Sequence, residues 1–250
     1  MAMYETFPHA PITEALLDIQ ATLPESSDAA RLLEFESLVK DRFPEKKELF
    51  FWEQGFQLHL GKEAQPMPLI QRLQGHLFVS PDKTKLVQAR VNGFTFNKLK
   101  PYESWDKFNE EARELWEHYR AIASPVNVTR VALRYLNRIE IPLPIKDLKD
   151  WGVLFPDVPP DIPQGLTEFF LRFVTPDPES GASGIITMTF EPPHPERTVL
   201  PLILDVDVFY SFDLMAPKTE YLWGKFAQLR ELKNKIFFSI ITENAKNLFR

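Results

Sequence analysis

The sequence predicts an α+β protein: antiparallel sheet covered by long helices, in two similar halves that each run β-α-β-β-β-α. Three observations carry this expectation. Apolar and polar residues alternate over a series of short segments separated by Pro, Gly, Asp and Asn, the pattern of half-buried strands. Two long stretches, 102–123 and 218–249, instead repeat apolar residues at steps of three and four, the period of a helix with one buried face. Beyond Pro125, the order of segments repeats the order before it, with less helix.

Residues 11–23, PITEALLDIQATL, form a first strand ending before Pro24. The stretch 26–43 reads as helix. Ser27 or Asp28 is a suitable N-cap, and Leu32, Phe35 or Glu36, Val39 and Phe43 keep helical spacing up to Pro44. Strands follow at 48–60, 68–80 and 85–97, the last two joined by SPDKT, with Pro and Asp where a hairpin needs them. In 102–123, Trp105, Phe108, Ala112, Leu115, Trp116 and Tyr119 make one apolar stripe on a charged helix that Pro125 stops. A long strand spans about 127–141. The proline-rich stretch Pro142–Pro163 is too interrupted for a central strand. It reads as an ordered surface connector, with a lid or partner contact as the functional alternative. Strands at 166–174, 184–191 and 198–212 precede a closing helix at 218–249, marked by Leu222, Phe226, Leu229, Ile236, Phe237, Ile240, Ala245 and Leu248. Its segment IFFSII is apolar nearly all round and is expected to be deeply buried.

The halves meet near Ser124–Pro125, giving an N-terminal unit 1–124 and a C-terminal unit 125–250 in one compact body. Either their sheets join into one saddle-like sheet gripping two helices, or they stand as separate lobes. Helix-grip and TATA-box-binding-protein-like folds share this order of elements, a likeness of fold that carries no function.

Composition narrows the function classes. At 250 residues, 44% hydrophobic and 26% charged, the chain has the make-up of a soluble protein with a substantial core. The absence of cysteine excludes disulfides, Fe–S clusters, Cys-ligated zinc and a Cys nucleophile. No apolar run reaches the roughly 18 residues of a membrane span, and the N-terminus lacks a basic segment followed by an apolar one. A cytoplasmic protein is therefore expected. The net charge of −6 disfavours non-specific nucleic-acid binding, which needs a positive field. His9, His59, His76, His118 and His194 make no paired ligand spacing, and neither a GxSxG, a GxGxxG nor a P-loop motif is present. The expectation is therefore no catalytic constellation, no metal centre and no cofactor. Phe50, Trp52 and Phe56 share one strand face, which reads as core rather than as a base-stacking platform.

The most informative segment is RVALRYLNRIEI, residues 130–141. Strand alternation places Arg130, Arg134 and Arg138 on one face with Ala132, Leu136 and Glu140. Val131, Leu133, Tyr135, Asn137, Ile139 and Ile141 take the other face. In LILDVDVFYSF, Asp205 and Asp207 likewise share a face, with Ile203, Phe209, Ser211 and Asp213. If the two strands lie in one sheet, arginines and aspartates meet as a cross-strand ladder that fixes register. The first functional alternative is a site for an anion, such as a nucleotide phosphate or a partner's acidic segment, on Arg130, Arg134 and Arg138 with Asn137 nearby across the strand. The second is a metal site on Asp205 and Asp207, with Asp213 or Glu191 as a further ligand, for phosphoryl transfer.

HAPITEALLDIQ, FNKLKPYESWDKFNEEARELWEHY, VTRVALRYLNRIEIP, LDVDVF and FFSIITENAKNLF, in that order, resemble a sporadically distributed family of bacterial proteins of about this length. The resemblance spans nearly the whole chain. It implies no activity, and the family's scattered occurrence suggests mobile or defence-associated genes. Arg130, Arg134, Tyr135, Asn137, Asp205 and Asp207 fall in its recurring motifs. The leading expectation is a non-enzymatic, cytoplasmic binding or regulatory protein acting through a partner protein, in a defence or toxin–antitoxin setting that the resemblance alone implies. The alternatives are a small-ligand or nucleotide-binding module on the Arg/Asp face, then a metal-dependent phosphoryl-transfer enzyme.

Overall fold

Strand β1 (Ile12–Thr22) lies between two partners, β7 (Gly93–Leu99) and β8 (Asn127–Pro142), antiparallel to both. This triple is the centre of the computed structural model. It describes residues 4–25, 28–53, 56–57, 65–66, 69–163, 166, 168–191, 194, 196, 198–215 and 219–250, with backbone alone for 56–57, 65–66 and 213–215. The other strands are β2 (Glu45–Glu53), β3 (Phe56–Gln57), β4 (Gln65–Pro66), β5 (Ile70–Val79), β6 (Lys85–Arg90), β9 (Phe170–Pro176), β10 (Ser183–Phe190) and β11 (Val199–Met215). All but β3 and β4 join one nine-stranded antiparallel sheet in the order β2-β5-β6-β7-β1-β8-β11-β10-β9.

The helices are α1 (Phe35–Val39), α2 (Trp105–Ala123), α3 (Thr219–Ile240) and α4 (Glu243–Asn247). One sheet face carries them. Leu17, Ile19, Phe94, Phe96, Leu133, Leu204 and Val206 point to this face and are buried with Phe108, Leu115 and Trp116 of α2 and Leu222, Phe226 and Leu229 of α3. Ser104 starts α2 by accepting a hydrogen bond from the Lys107 amide, and Ser124 ends it in the left-handed conformation, φ 47°.

The expected α+β architecture, with long helices covering the sheets of two similar β-α-β-β-β-α halves, is corrected. Strand makes up 41% of the chain and helix 27%, so a single antiparallel sheet dominates and helix is the minor component. The physical reason lies in the crossovers and the seam. Between β1 and β2 the expected helix at 26–43 shrinks to a 3-10 turn, Arg31–Glu34, and the five residues of α1. Asp28 accepts a hydrogen bond from the Arg31 amide there, while Ser27 lies outside the described residues. Between β8 and β9 the only regular helix among the described residues is the 3-10 turn Leu148–Asp150. Direct pairing of β1 with β8 then makes the two sets of strands continuous.

Two further expectations shift in detail. The closing helix breaks after Ile240: Ile241 forms an isolated bridge with Gly152, and Thr242 caps α4 by accepting from the Ala245 amide. Within IFFSII, Phe237, Ile240 and Ile241 are buried while Ser239 is exposed. The proline-rich connector is docked by the same bridge. The Val153 amide donates to the Ile240 carbonyl at 2.9 Å, and the Phe155 ring packs on Phe169 and Phe190. Gly152, Val153 and Phe155 thus pack this part of the connector on the core.

The β6–β7 turn depends on Gly93. Its φ is +144°, and an added Cβ would lie 2.1 Å from the Ile19 carbonyl oxygen of β1. Neither the conformation nor the space admits a side chain. Gly93→Ala should therefore destabilise the fold by about 2 kcal/mol or more, read as a lowered urea midpoint with unchanged slope. An unchanged midpoint would show that β7 and β1 do not approach this closely.

Candidate functional site

The arginines of β8 point to the sheet face opposite the helices. Register places Arg134 across from Asp207, and Arg138 across from Ile203. The pairing is diagonal. Arg134 donates from Nε to Asp205 Oδ1 at 2.8 Å and from Nη2 to Oδ2 at 2.6 Å, a two-point contact. Arg130 donates to Asp207 at 3.2 Å, approaches Asp18 of β1 at 3.6 Å and lies 4.5 Å from the Phe209 ring centre. Arg138 donates to Glu191 at 2.7 Å and pairs with Glu140. Every arginine of the strand is thus bonded to carboxylate.

The network continues across the seam. Asp18, only 8% exposed, accepts from Arg90 of β6 at 2.6 Å and from the Thr95 hydroxyl of β7 at 2.7 Å. Arg90 also donates to Thr95 at 2.8 Å. Further along the same face, Asn97 donates to Glu14. Asp207 is incompletely satisfied. Its Oδ1 is buried without a hydrogen bond, and burial pushes its carboxyl above the usual range against the pull of Arg130 and Arg134. The face as a whole is a ladder of ion pairs and hydrogen bonds spanning β6, β7, β1, β8 and β11.

The sequence-derived site residues therefore separate. Arg130, Arg134, Arg138, Asp205 and Asp207 come together, but Asn137 does not join them. It is 2% exposed on the helix side and donates to the carbonyls of Leu204 (3.0 Å) and Tyr135 (3.3 Å). Glu191 is engaged by Arg138, and the Asp213 side chain and His59 lie outside the described residues. Among the described residues no group of three or more His, Asp or Glu is arranged to hold a metal ion.

A second site lies on the helix side, and local patterns did not single it out. A cavity of about 440 Å³ opens between the N-terminal segment, the entry to α2, β8 and α3. Tyr102 and Tyr135 meet in it, hydroxyl to hydroxyl at 2.8 Å. Lys233 of α3 extends its ammonium to 4.0 Å from the centre of the Tyr135 ring, and Arg230 lies over Trp105 at 5.5 Å. Burial pushes the Lys233 ammonium down to about 7, and the neighbouring Arg230 adds to the fall. Burial also raises the Tyr135 hydroxyl well above its usual value and Tyr102 to about 12, so both stay protonated at neutral pH. The signal in the sequence is Lys233 itself. It stands seven residues after Phe226 and seven before Ile240, on the buried stripe of α3 where an apolar residue is expected.

A third feature is the outer end of the β2–β5 ribbon. Phe50 and Trp52, read from the sequence as core, are 39% and 55% exposed, and Phe51, Leu69 and Ile70 are exposed with them. Phe50 and Trp52 do share a face, with ring centres 6.3 Å apart. The edge strand β2 rests on β5 alone in the sheet, and nothing covers these rings among the described residues. The Phe56 side chain lies outside those residues. No helix among the described residues is long and apolar enough to cross a membrane. No protein-family model, curated protein or solved structure matches the chain.

Two predictions follow from the charges. Asp18→Asn leaves Arg90 and Arg130 facing each other without their shared carboxylate and should cost about 3 kcal/mol or more. Arg134→Ala, at a side chain 47% exposed, should cost about 1 kcal/mol or less. Chemical denaturation measures both, and equal costs would contradict the graded burial of the ladder. For Lys233, the folded-state value lies below the unfolded one, so the unfolded chain holds the extra proton between about pH 7 and 10.5. Stability rises with pH across that window. Lys233→Met should accordingly exceed the wild type in stability at pH 6. Its advantage should shrink by up to about 1.4 kcal/mol per pH unit above pH 7. A gap that is constant with pH would mean an unperturbed Lys233.

Proposed function

We propose that the chain is a non-enzymatic, cytoplasmic binding protein that acts through a partner protein, docking it on the apolar end of the β2–β5 ribbon. The observation that carries this reading is the exposure of Phe50, Phe51, Trp52, Leu69 and Ile70 together, from 39% to 55% each. Phe50 and Trp52 form an exposed aromatic pair on one face of the ribbon, and Phe51 is exposed on the other. Exposed apolar groups of this kind mark interaction surfaces, and aromatic residues serve as anchors. The ribbon also belongs to an edge strand, β2, whose outer backbone groups can pair with an added strand. The Arg/Asp face is the weaker place for an anion, because a ligand there has to displace carboxylates already bonded to Arg130, Arg134 and Arg138. A defence or toxin–antitoxin setting follows from the family resemblance only.

Native mass spectrometry on protein purified gently, with its neighbouring genes co-expressed, tests the proposal. The expected result is a stoichiometric second polypeptide that the double variant Phe50→Ser/Trp52→Ser no longer retains, with Tm unchanged within about 2 °C. A bare mass for the wild type, or full retention by the variant, would count decisively against the ribbon as the docking surface.

A further inference from the structure

We infer that the cavity between α3, β8 and the entry to α2 is a binding site for a small organic monoanion, a carboxylate carried on an apolar or aromatic body, with Lys233 and Arg230 holding the acid group.

The charge distribution supplies the first argument. Lys233 and Arg230 stand one helical turn apart on α3 and face the same cavity. Each lies over an aromatic ring, Tyr135 or Trp105, and neither takes a carboxylate partner within 4.0 Å among the described residues. The contrast with the open face is direct. There, Arg130, Arg134 and Arg138 each bind a carboxylate of this chain. Two neighbouring cations in a partly closed space repel each other, and a shared anion is the arrangement that relieves both.

The size of that anion follows from its surroundings. The acids facing the cavity are Glu5 at the N-terminal segment, Glu103 and Asp106 at the start of α2, and Glu231 on α3. Glu5 is bonded to Arg250 and Glu103 to Lys107, which leaves Asp106 and Glu231 as negative neighbours. They oppose a dianion such as a phosphate monoester and tolerate a single charge. The lining also includes Tyr4 and Phe7, each stacked on Phe238 with ring centres 5.1 and 5.8 Å apart, which supply aromatic surface for an apolar body. The Tyr102–Tyr135 hydroxyl pair uses one proton between its members. The other proton remains for a carboxylate oxygen.

The probes are phenylacetate, its neutral amide phenylacetamide, and phenyl phosphate, each titrated into the full chain by calorimetry. Phenylacetate should bind at least about tenfold more tightly than either of the others. Lys233→Met and Arg230→Gln should each weaken it by about tenfold. With Lys233 charged at pH 6 and largely neutral at pH 9, affinity for phenylacetate should fall about tenfold or more between them. Thermal melts confirm that each variant is folded, and Arg230→Gln carries the test alone if Lys233→Met is not. Equal affinities for phenylacetate and phenylacetamide would overturn the inference. So would no measurable heat with phenylacetate at millimolar concentration, tighter binding of phenyl phosphate, or indifference to both substitutions.

Discussion

The structure turns on one carboxylate. Asp18 sits on the middle strand of the sheet, almost out of water, and is shared by Arg90 from β6 and Arg130 from β8 with the Thr95 hydroxyl of β7 between. A buried acid needs opposite charge and hydrogen bonds at short range, and here they come from strands on both sides of β1. Slipping β1 by one residue against either neighbour would turn Asp18 into the apolar core and Ile19 out of it. Charge and hydrophobic pattern therefore demand the same register, and that register makes one sheet out of residues more than a hundred positions apart.

The two faces of the sheet divide the remaining chemistry. On the open face the arginines of β8 are bonded to the aspartates of β11 and to Glu191. On the helix face the core is mostly aromatic and aliphatic, with buried polar residues such as Asn137 hydrogen-bonded within it, and α3 brings Lys233 and Arg230 over Tyr135 and Trp105. The arginines of β8 and the two cations of α3 therefore differ in status. The three arginines of β8 are bonded to carboxylates of the chain, while Lys233 and Arg230 lie over rings and take no carboxylate partner among the described residues. The apolar ribbon at the edge is a third region, distant in the strand order from β8 and β11, so partner docking and ligand binding need not compete.

Local chemistry was legible in the sequence where one segment contains its own signal. The stripe from Trp105 to Tyr119, with Ser104 and Pro125 at its ends, reads as the helix it forms. Alternation in β8 and β11 correctly grouped Arg130, Arg134 and Arg138 and paired Asp205 with Asp207. Three things were not legible. The merging of all long strands into one sheet depends on β1 meeting β8, a contact that no local pattern encodes. Alternation told that Phe50 and Trp52 share a face but not whether anything covers it, and at this edge strand nothing among the described residues does. Lys233 interrupts an apolar stripe, and a reading that follows the stripe passes over its exception.

The account rests most heavily on β1 as the common strand of a single cooperative sheet. Hydrogen exchange of the backbone amides tests that directly, because strands of one cooperative unit open together at the global unfolding free energy. The amides of β1, β7, β8 and β11 that bond across the seam should form one slowest-exchanging class, with a common dependence on denaturant. If the strands from β8 to β11 keep their protection while β1 and β7 exchange as a separate, faster block, the sheet is two units in contact and Asp18 does not hold it together.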